Sequence, residues 1–223
     1  MDYATDTIQT AGGDLKITFI GHGTMMFTFG DLVIHIDPVA EMGDYGELPK
    51  ADILLLTHDH PDHLDLDLVK QLRKEDTVIV SDGASAEKVT GCRVMKNGDT
   101  ETVKGINIEA VPAYNLIHMR SPGNPFHPKG YANGYVMIFG DKKVYVASDT
   151  ENIPELRDLS GVDVAFLPMN LPYTMTPEMA ADAALSFMPK ILYPYHFGET
   201  DTSKLIDLLK DHPEIEVRIR EMQ

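Results

Sequence analysis

The sequence predicts an α+β fold in which packed β-sheets are flanked by helices. Short apolar strands separated by turns follow one another in the first part of the chain, and strands alternate with helical stretches later. The 223 residues, 43% of them hydrophobic, are enough for one medium-sized core, and no low-complexity linker divides them. We therefore predict a single domain over residues 1–223.

The first half of the chain contains the clearest strand signals. Gly30-Asp31 is typical of a tight hairpin turn, and Asp37-Pro38 ends the next strand because proline cannot continue a β-ladder. The continuous apolar run of residues 53–56 is typical of a strand that is buried on both faces. Helical apolar spacing predicts a helix over residues 66–72. The predicted strands are residues 15–20, 25–29, 32–36, 53–56 and 78–80.

Strands and helices are mixed in the second half of the chain. Thr176 is a suitable N-cap, Pro177 fits the first helical turn and Glu178 lies beside the positive end of the helix dipole. These three residues predict a helix over residues 177–188. Alternating and continuous apolar patterns predict strands over residues 102–111, 135–139, 143–147, 164–167, 191–195 and 216–219.

Charge and composition limit the classes of partner. Acidic residues outnumber basic ones, 35 against 19, and the formal net charge of -16 repels nucleic-acid backbones, although solubility alone also explains such a surface. The single cysteine, Cys92, cannot form an intrachain disulfide. No apolar run approaches the roughly 20 residues that span a bilayer, and residues 1–6 lack the features of a signal peptide. We expect a cytoplasmic protein with a small-molecule substrate and neither nucleic-acid nor membrane partners; whether it forms a homo-oligomer is left open.

A cluster of metal-binding residue types directly follows the buried strand of residues 53–56. His58, His60, Asp62 and His63 offer imidazole nitrogen and carboxylate oxygen, the ligand atoms that suit zinc and related divalent ions. A loop that turns back after the strand can direct the first two histidines to one ion and the last two residues to a second ion. The spacing therefore predicts a two-metal site.

Two further candidate ligands stand at predicted strand ends. Asp149 follows the strand of residues 143–147, and His196 follows the strand of residues 191–195. Taken alone, each is more often a structural residue at the end of a strand. Because both are ligand types in the same topological position as the histidine cluster, we predict that they join the metal site.

These segments together resemble the metallo-β-lactamase superfamily, over residues 15 to about 209. Gly21-His22-Gly23-Thr24 and the segment of residues 174–178 are similar to its ascorbate-6-phosphate lactonase-like branch. The resemblance implies an αββα sandwich of two mixed β-sheets flanked by helices, with the site at one edge of the sheets. Ser148 stands where the superfamily usually has glycine, directly before Asp149. The resemblance also implies which residue binds which ion. His58 and His60 would hold the first ion, Asp62, His63 and His196 the second, and Asp149 would bridge them.

The third histidine expected for the first ion has two candidate positions. Asn115 stands where the branch often places it, directly after a predicted strand. His127 begins a His-Pro-Lys-Gly segment that resembles the superfamily's usual turn before a strand. We predict that His127 is the third ligand of the first ion, because imidazole binds a borderline-soft ion better than a neutral amide does. Asn115 is the alternative.

The predicted chemistry is metal-dependent hydrolysis. Two divalent ions, zinc in preference to manganese, would lower the pKa of a shared water towards about 7, and the metal-activated hydroxide would attack an ester, lactone or related bond. We predict that Asp62 orients this nucleophile. His22 has either a supporting catalytic role or a role in loop packing. No organic cofactor is expected, because no glycine-rich dinucleotide or phosphate loop is present.

The polar segment of residues 114–131 is long enough to be an active-site cover. We predict that Asn115, Arg120 and Lys129 meet an anionic small metabolite there; a solvated loop without ligand contacts is the alternative. Two other functions stay open for the whole protein. One is a phosphodiesterase of the same fold, and the other is a non-hydrolytic metal-binding protein.

Overall fold

The computed structural model describes residues 3–222 of the protein. Residues 1 and 223, the ends of the predicted domain, and residue 2 of the N-terminal segment lie outside this range. Within it, the chain forms two seven-stranded sheets and a small two-stranded ribbon. Both large sheets contain antiparallel and parallel strand pairs, which confirms the predicted α+β sandwich of two mixed sheets.

The first sheet has its strands in chain order, from β1 to β7. The strands from β1 to β4 are antiparallel, and those from β4 to β7 are parallel. Their bounds are β1 (Thr5–Thr10), β2 (Gly13–Gly21), β3 (Thr24–Phe29), β4 (Leu32–Ile36), β5 (Ala51–Leu56), β6 (Arg73–Ser81) and β7 (Cys92–Val94).

The second sheet repeats this progression from antiparallel to parallel pairing, in the order β8-β9-β12-β13-β14-β15-β16. The ribbon β10–β11 lies in the segment of residues 114–131. The bounds are β8 (Thr100–Val103), β9 (Ile106–Ala113), β10 (Met119–Ser121), β11 (Asn124–Pro125), β12 (Ala132–Phe139), β13 (Lys142–Val146), β14 (Val164–Pro168), β15 (Ile191–Tyr195) and β16 (Glu216–Val217).

Helices are few and short. In the described part of the chain, the α-helices are α1 (Leu66–Leu72), α2 (Gly83–Lys88), α3 (Pro177–Phe187) and α4 (Ser203–Leu209), and two 3₁₀ helices span Ala40–Met42 and Pro154–Asp158. The Thr176 hydroxyl accepts a hydrogen bond from the Met179 backbone amide at 3.1 Å, so the predicted N-cap of α3 is confirmed. Within residues 3–222, none of the helices has the length and apolar character needed to cross a membrane.

The period-2 alternation of the strands divides the apolar residues of the first sheet between two layers. Ile53 and Leu55 of β5 join the central core between the sheets, whereas Leu54 and Leu56 pack in a second cluster with α1. In the central layer, the Phe27 and Phe166 ring centroids are 5.8 Å apart and join the two sheets. The continuous apolar run of residues 53–56 thus corresponds to a strand that is buried on both faces.

The structure corrects several predicted elements. Strand β1 was not predicted because its sequence, TDTIQT, is mostly polar, and its pairing with β2 makes it a strand. The predicted strand of residues 102–111 is a hairpin, β8–β9, in which Lys104 and Gly105 both adopt positive φ, as a tight turn between two strands requires. The last predicted strand, residues 216–219, is limited to Glu216–Val217.

Candidate metal centre

The strand ends bring the predicted metal ligands together at one edge of the sandwich. Within each of three overlapping groups, the candidate ligand atoms lie within 4.8 Å of one another. All seven predicted ligands, and His22, belong to these groups. The groups are His58, His60, His127 and Asp149; His63, Asp149 and His196; and His22, Asp62 and His196.

Each ligand comes from a backbone turn at the end of a strand. The histidine-rich turn follows β5 and closes where the His63 amide donates to the His60 carbonyl at 2.9 Å. Asp149 follows β13 and His196 follows β15, so the two sheets contribute opposite sides of the cluster. His127 belongs to the loop of residues 114–131, which connects β9 and β12 of the second sheet.

Asp149 lies between two sets of histidines and presents one oxygen to each. Its Oδ2 is 3.3 Å from His127 Nε2 and 3.9 Å from His58 Nε2. Its Oδ1 is 3.5 Å from His63 Nε2 and 3.4 Å from His196 Nε2. This division is what a carboxylate that bridges two ions requires, and His127 rather than Asn115 stands on the first side.

Asp62 lies on the second side of the cluster, towards solvent. Its Oδ2 is 3.5 Å from His196 Nε2, 4.0 Å from His63 Nε2 and 3.4 Å from His22 Nε2. The His22 and His196 ring centroids are 3.8 Å apart. His22 therefore packs against His196 and lies at ligand distance from Asp62 and His196, whereas the sequence predicts for it either a supporting catalytic role or a role in loop packing.

Hydrogen bonds behind the rings determine which ring nitrogen faces the cluster. Asp37 Oδ2 accepts from His63 Nδ1 at 2.8 Å and from the Thr57 hydroxyl at 2.6 Å. Because the Thr57 hydroxyl donates to Asp37, it is left to accept from His58 Nδ1 at 3.0 Å. Both histidines thus carry their proton on Nδ1 and direct Nε2 to the cluster.

Backbone strain is concentrated at this edge. Among residues 3–222, six non-glycine residues have a left-handed φ, and four of them hold or adjoin the cluster: His22, Asp37, Ser148 and His196. Ser148 has a φ of 61°, a left-handed value that favours glycine, which is the residue that the sequence resemblance implies at this position. Gly23 has a different reason, since an added Cβ would be only 2.9 Å from His63 Cε1.

The surroundings of the cluster keep its carboxylates ionised. They also keep neutral the imidazoles of His58 and His127, which face Asp149 Oδ2. Burial lowers the pKa of His58 well below its ordinary value and lowers the pKa of His127 to about 4. Burial also opposes charge on His63, but the Asp149 carboxylate outweighs it and raises the pKa of His63. Burial alone would raise the pKa of Asp149, yet His196 and His63 hold it well below its usual range. The shared carboxylate therefore draws positive charge into the site.

A cavity of about 290 Å³ opens onto the cluster, and Arg120 is the one predicted substrate residue on its wall. The Arg120 guanidinium lies 5.0 Å above the Phe126 ring, which packs edge-on against Tyr173. A larger cavity, of about 640 Å³, contains none of the clustered residues, so size does not identify the site. The lining residues of the smaller cavity are His22, His60, Pro61, Asp62, Arg120, His127, Asp149, Asn170 and Tyr173.

Two predicted substrate-binding residues lie elsewhere. Asn115 is buried behind His127, and its side-chain amide is fully used by protein partners, so it does not face the cavity. Lys129 points to the surface, where its Nζ pairs with Glu155 at 2.5 Å and lies 4.9 Å from the Tyr114 ring centroid. The prediction that these two side chains meet the substrate does not agree with their placement.

Several residues at the site had no role in the sequence reasoning. The sequence predicts Asp37 only as the end of a strand, whereas in the fold its hydrogen bonds orient His63 and the loop that begins at Thr57. Asn170 and Tyr173 line the cavity from the loop before α3. Glu151 lies behind Asn115. The sequence contains a signal for Asp37, because this residue precedes Pro38 at the end of a strand that lies beside the strand leading to the histidines. It contains no such signal for Asn170, Tyr173 or Glu151.

Comparison with known proteins identifies the family to which the chain belongs. A family described as the Beta-lactamase superfamily domain matches residues 16–196, which include all the clustered residues. A UPF0173 metal-dependent hydrolase from Methanoculleus marisnigri is 33% identical over 188 residues, covering 82% of this chain and 81% of the relative.

Two solved structures are also similar to this chain. The crystal structure of a Parabacteroides distasonis protein, proposed to be a metal-dependent hydrolase, has a TM-score of 0.95 and 49% identity, and each chain is covered completely. Igni18, a metallo hydrolase from Ignicoccus hospitalis, shares the fold with a TM-score of 0.74 at 24% identity, over 93% of this chain and 95% of that one. The chain therefore belongs to the metallo-β-lactamase superfamily and, within it, to the UPF0173 metal-dependent hydrolase family.

Proposed function

We propose that this protein uses two divalent metal ions to hydrolyse an ester, lactone or related bond in a small anionic metabolite. The observation that carries the proposal is the position of Asp149, whose two oxygens face separate sets of histidines on the floor of a cavity. The similarity of the His22 loop to the ascorbate-6-phosphate lactonase-like branch supports a lactone or ester as the substrate.

The donor set fits two ions. Within residues 3–222, the buried Nε2 atoms of His58, His63 and His196 have no hydrogen-bond partner, and neither does Asp149 Oδ1. Buried polar atoms without a partner are costly unless a ligand satisfies them, and a nitrogen-rich set with carboxylates favours zinc over magnesium or calcium. His58, His60 and His127 would hold one ion, Asp62, His63 and His196 the other, and Asp149 would bridge. When bound, the ions would supply Lewis acidity that acidifies water and polarises the substrate oxygen.

The chain's own residues supply proton handling and orientation. The Asp62 side chain is 42% exposed and lies between the second group and solvent, where its carboxylate can accept a hydrogen bond from an attacking water and orient it. Burial opposes the ionisation of the Asp62 carboxyl, but His196 and His22 outweigh burial and hold the pKa of Asp62 below its usual range. His22 thereby keeps the carboxylate ionised and positioned.

Arg120 supplies the preference for an anion. Its guanidinium is on the cavity wall, stacked over Phe126, and an anionic substituent of the substrate would be held there while the reacting bond lies over the cluster. The net charge of -16 makes this a local exception in an acidic molecule. The cavity volume of about 290 Å³ limits the bound part of the substrate to the size of a small metabolite.

The test is a hydrolysis screen of zinc- and manganese-loaded protein against lactones, simple esters, thioesters and a chromogenic phosphodiester. Each carbonyl substrate is offered with and without a carboxylate or phosphate substituent. We expect turnover of the anionic lactones or esters, with Asp149→Asn inactive. Arg120→Gln should raise KM for anionic substrates about tenfold or more, as the loss of one charge-assisted hydrogen bond predicts, and leave neutral ones unchanged.

Lys129→Gln is the matched control, because it removes a surface cation from the same loop without touching the cavity. Equal losses in both variants would refute the role of Arg120. A marked preference for the phosphodiester would replace the proposed substrate class and retain the metal assignment. Metal uptake without turnover of any substrate would favour the non-hydrolytic alternative.

A further inference from the structure

Glu151 is a fully buried carboxylate two residues after Asp149, and the proposed hydrolysis does not use it. Its Oε2 accepts from the backbone amides of Leu116 at 2.8 Å and Ile117 at 2.7 Å. Its Oε1 accepts from the His118 amide and His118 Nδ1, both at 2.7 Å, and from Asn115 Nδ2 at 3.1 Å. One side chain thus holds the beginning of the loop of residues 114–131.

The contact with Asn115 continues to the candidate metal centre. Asn115 Nδ2 faces two acceptors, Glu151 Oε1 and the Tyr173 carbonyl at 2.8 Å, so this atom must be the amide nitrogen. The opposite atom, Oδ1, accepts from the His127 backbone amide at 2.8 Å and from His127 Nδ1 at 2.9 Å. The orientation of the amide group follows from the chemistry of its neighbours.

The orientation of Asn115 determines the protonation of the His127 ring. Because an amide oxygen only accepts, Nδ1 of the neutral His127 ring carries the proton and Nε2 presents its lone pair to the cluster. That Nε2 is 3.3 Å from Asp149 Oδ2 and 3.2 Å from His60 Nδ1. Without an acceptor behind Nδ1, the ring would be free to place its proton on Nε2, where it would exclude a metal ion.

We propose that Glu151 is a positioning residue for the candidate metal centre, acting through Asn115 to fix the tautomer and orientation of His127. The metal-binding part of this inference rests on the proposed function; the tautomer part does not. The turn after β13 then serves the site twice, since Asp149 is the shared carboxylate and Glu151 orients a ligand of the same site. The same carboxylate also holds the loop that carries Arg120.

The experiment compares Glu151→Gln with Glu155→Gln. Glu155 is the matched control, because it also binds this loop, through the Tyr114 hydroxyl at 3.0 Å and Lys129, but does not contact Asn115. The first readout is the ring-nitrogen NMR shifts of isotope-labelled histidine in metal-free protein at neutral pH, with His127 assigned by its replacement with glutamine. The second readout is the dissociation constant of each zinc ion, from competition with a chelator.

Wild-type protein and Glu155→Gln should show one His127 tautomer, with the proton on Nδ1. Glu151→Gln replaces one accepting oxygen with an NH2 group among five N–H donors, so the side chain can no longer accept from Asn115 Nδ2 and from all the loop donors together. It should therefore show a mixture of tautomers and weaker binding of one ion by about 10- to 100-fold, the usual effect of losing a partner behind a metal ligand. A Glu151→Gln protein that keeps a single tautomer and both zinc affinities overturns the inference, whatever its hydrolytic activity.

A pair of variants at position 115 provides a rescue test. Asn115→Asp keeps an acceptor for His127 but places a second carboxylate against Glu151, so we expect loss of zinc affinity. Combining Asn115→Asp with Glu151→Gln places the side-chain NH2 at position 151 opposite the carboxylate at position 115, so a hydrogen bond can form again. The double variant should therefore recover part of the lost zinc affinity. Additive losses would count against the inference, and this comparison also decides the case if Glu151→Gln alone does not fold. Failure of wild-type protein to hydrolyse any substrate would refute the proposed function without altering the tautomer result.

Discussion

Among the buried histidines, His35 belongs to the outer layer of the first sheet rather than to the metal cluster. Its ring is 5.9 Å from the Tyr45 ring, and its Nε2 donates to the Pro49 carbonyl at 2.9 Å. Burial lowers the pKa of His35 to about 4, even though the Pro49 carbonyl acts in the opposite direction. In the unfolded chain the group titrates near its ordinary value of about 6.5. Between these values the unfolded chain binds the proton and the folded protein does not.

His35 should therefore make the fold sensitive to mild acid. Its contribution to stability is complete above pH about 6.5 and is lost as the pH falls towards about 4, with a slope of up to about 1.4 kcal/mol per pH unit. His35→Gln keeps a donor for the Pro49 carbonyl but does not titrate. We expect a smaller decrease in its free energy of unfolding over this range, measured by denaturant titration with chelator present in both proteins. Parallel pH profiles for the two proteins would show that His35 is not responsible.

At the scale of elements, helix α3 is well capped at its start and strained at its end. Thr176 provides the N-cap hydrogen bond, and Pro177 occupies the first turn. At the C-terminal end, Met188 adopts a left-handed conformation with φ 52° and ψ 61°, and the residue is 41% exposed. A left-handed residue costs about 1–2 kcal/mol when it has a Cβ, and glycine avoids this cost.

Met188→Gly should stabilise the protein. The relief of strain exceeds the extra entropy of glycine in the unfolded chain, so we expect a net gain of about 0.5–1 kcal/mol in the free energy of unfolding. Met188→Ala is the control, because it removes the same exposed side chain and keeps the Cβ; it should give no such gain. Denaturant unfolding of the three proteins at equal metal concentration measures both effects. Equal stability of the glycine and alanine variants would contradict the assignment of strain.

At the scale of the whole molecule, the cluster of candidate metal ligands joins the two sheets. Its histidine-rich turn follows β5 of the first sheet, whereas Asp149 and His196 follow β13 and β15 of the second. Ions held between them would link the sheets at the edge where the buried ring nitrogens meet a carboxylate. Metal binding should therefore stabilise the fold as a whole.

Removal of metal should lower the melting temperature. With free metal at about 100 times its dissociation constant, binding adds about 2.7 kcal/mol, which corresponds to about 5–10 °C for a chain of this size. Thermal unfolding with and without a chelator measures the shift. Asp149→Asn should show little of it, because the bridging position is lost. A chelator that leaves the wild-type melting temperature unchanged would argue against metal binding at the interface of the sheets.

Local patterns were sufficient for most strands, for helix α3 and for the core of the site. Helical and strand periodicities depend on residues two to four positions apart, so the apolar run before His58 and the cap at Thr176 could be read directly. The cluster from His58 to His63 is equally local, because a single turn after a strand determines where its side chains point. The sequence does not predict the polar strand β1, because it is pairing with β2, rather than an apolar pattern of its own, that makes this segment a strand.

Only the packing of the two sheets decided the remaining features of the site. His127 and Asn115 are both polar residues on one loop, and the sequence offered no distance from either to Asp149; the fold places the imidazole at 3.3 Å and the amide behind it. The contacts of Glu151 and the surface pairing of Lys129 were equally inaccessible. The physical reason is the same in each case. Residue type and spacing determine what a side chain can bind, but the distance between residues far apart in the chain is determined by how the sheets and loops pack.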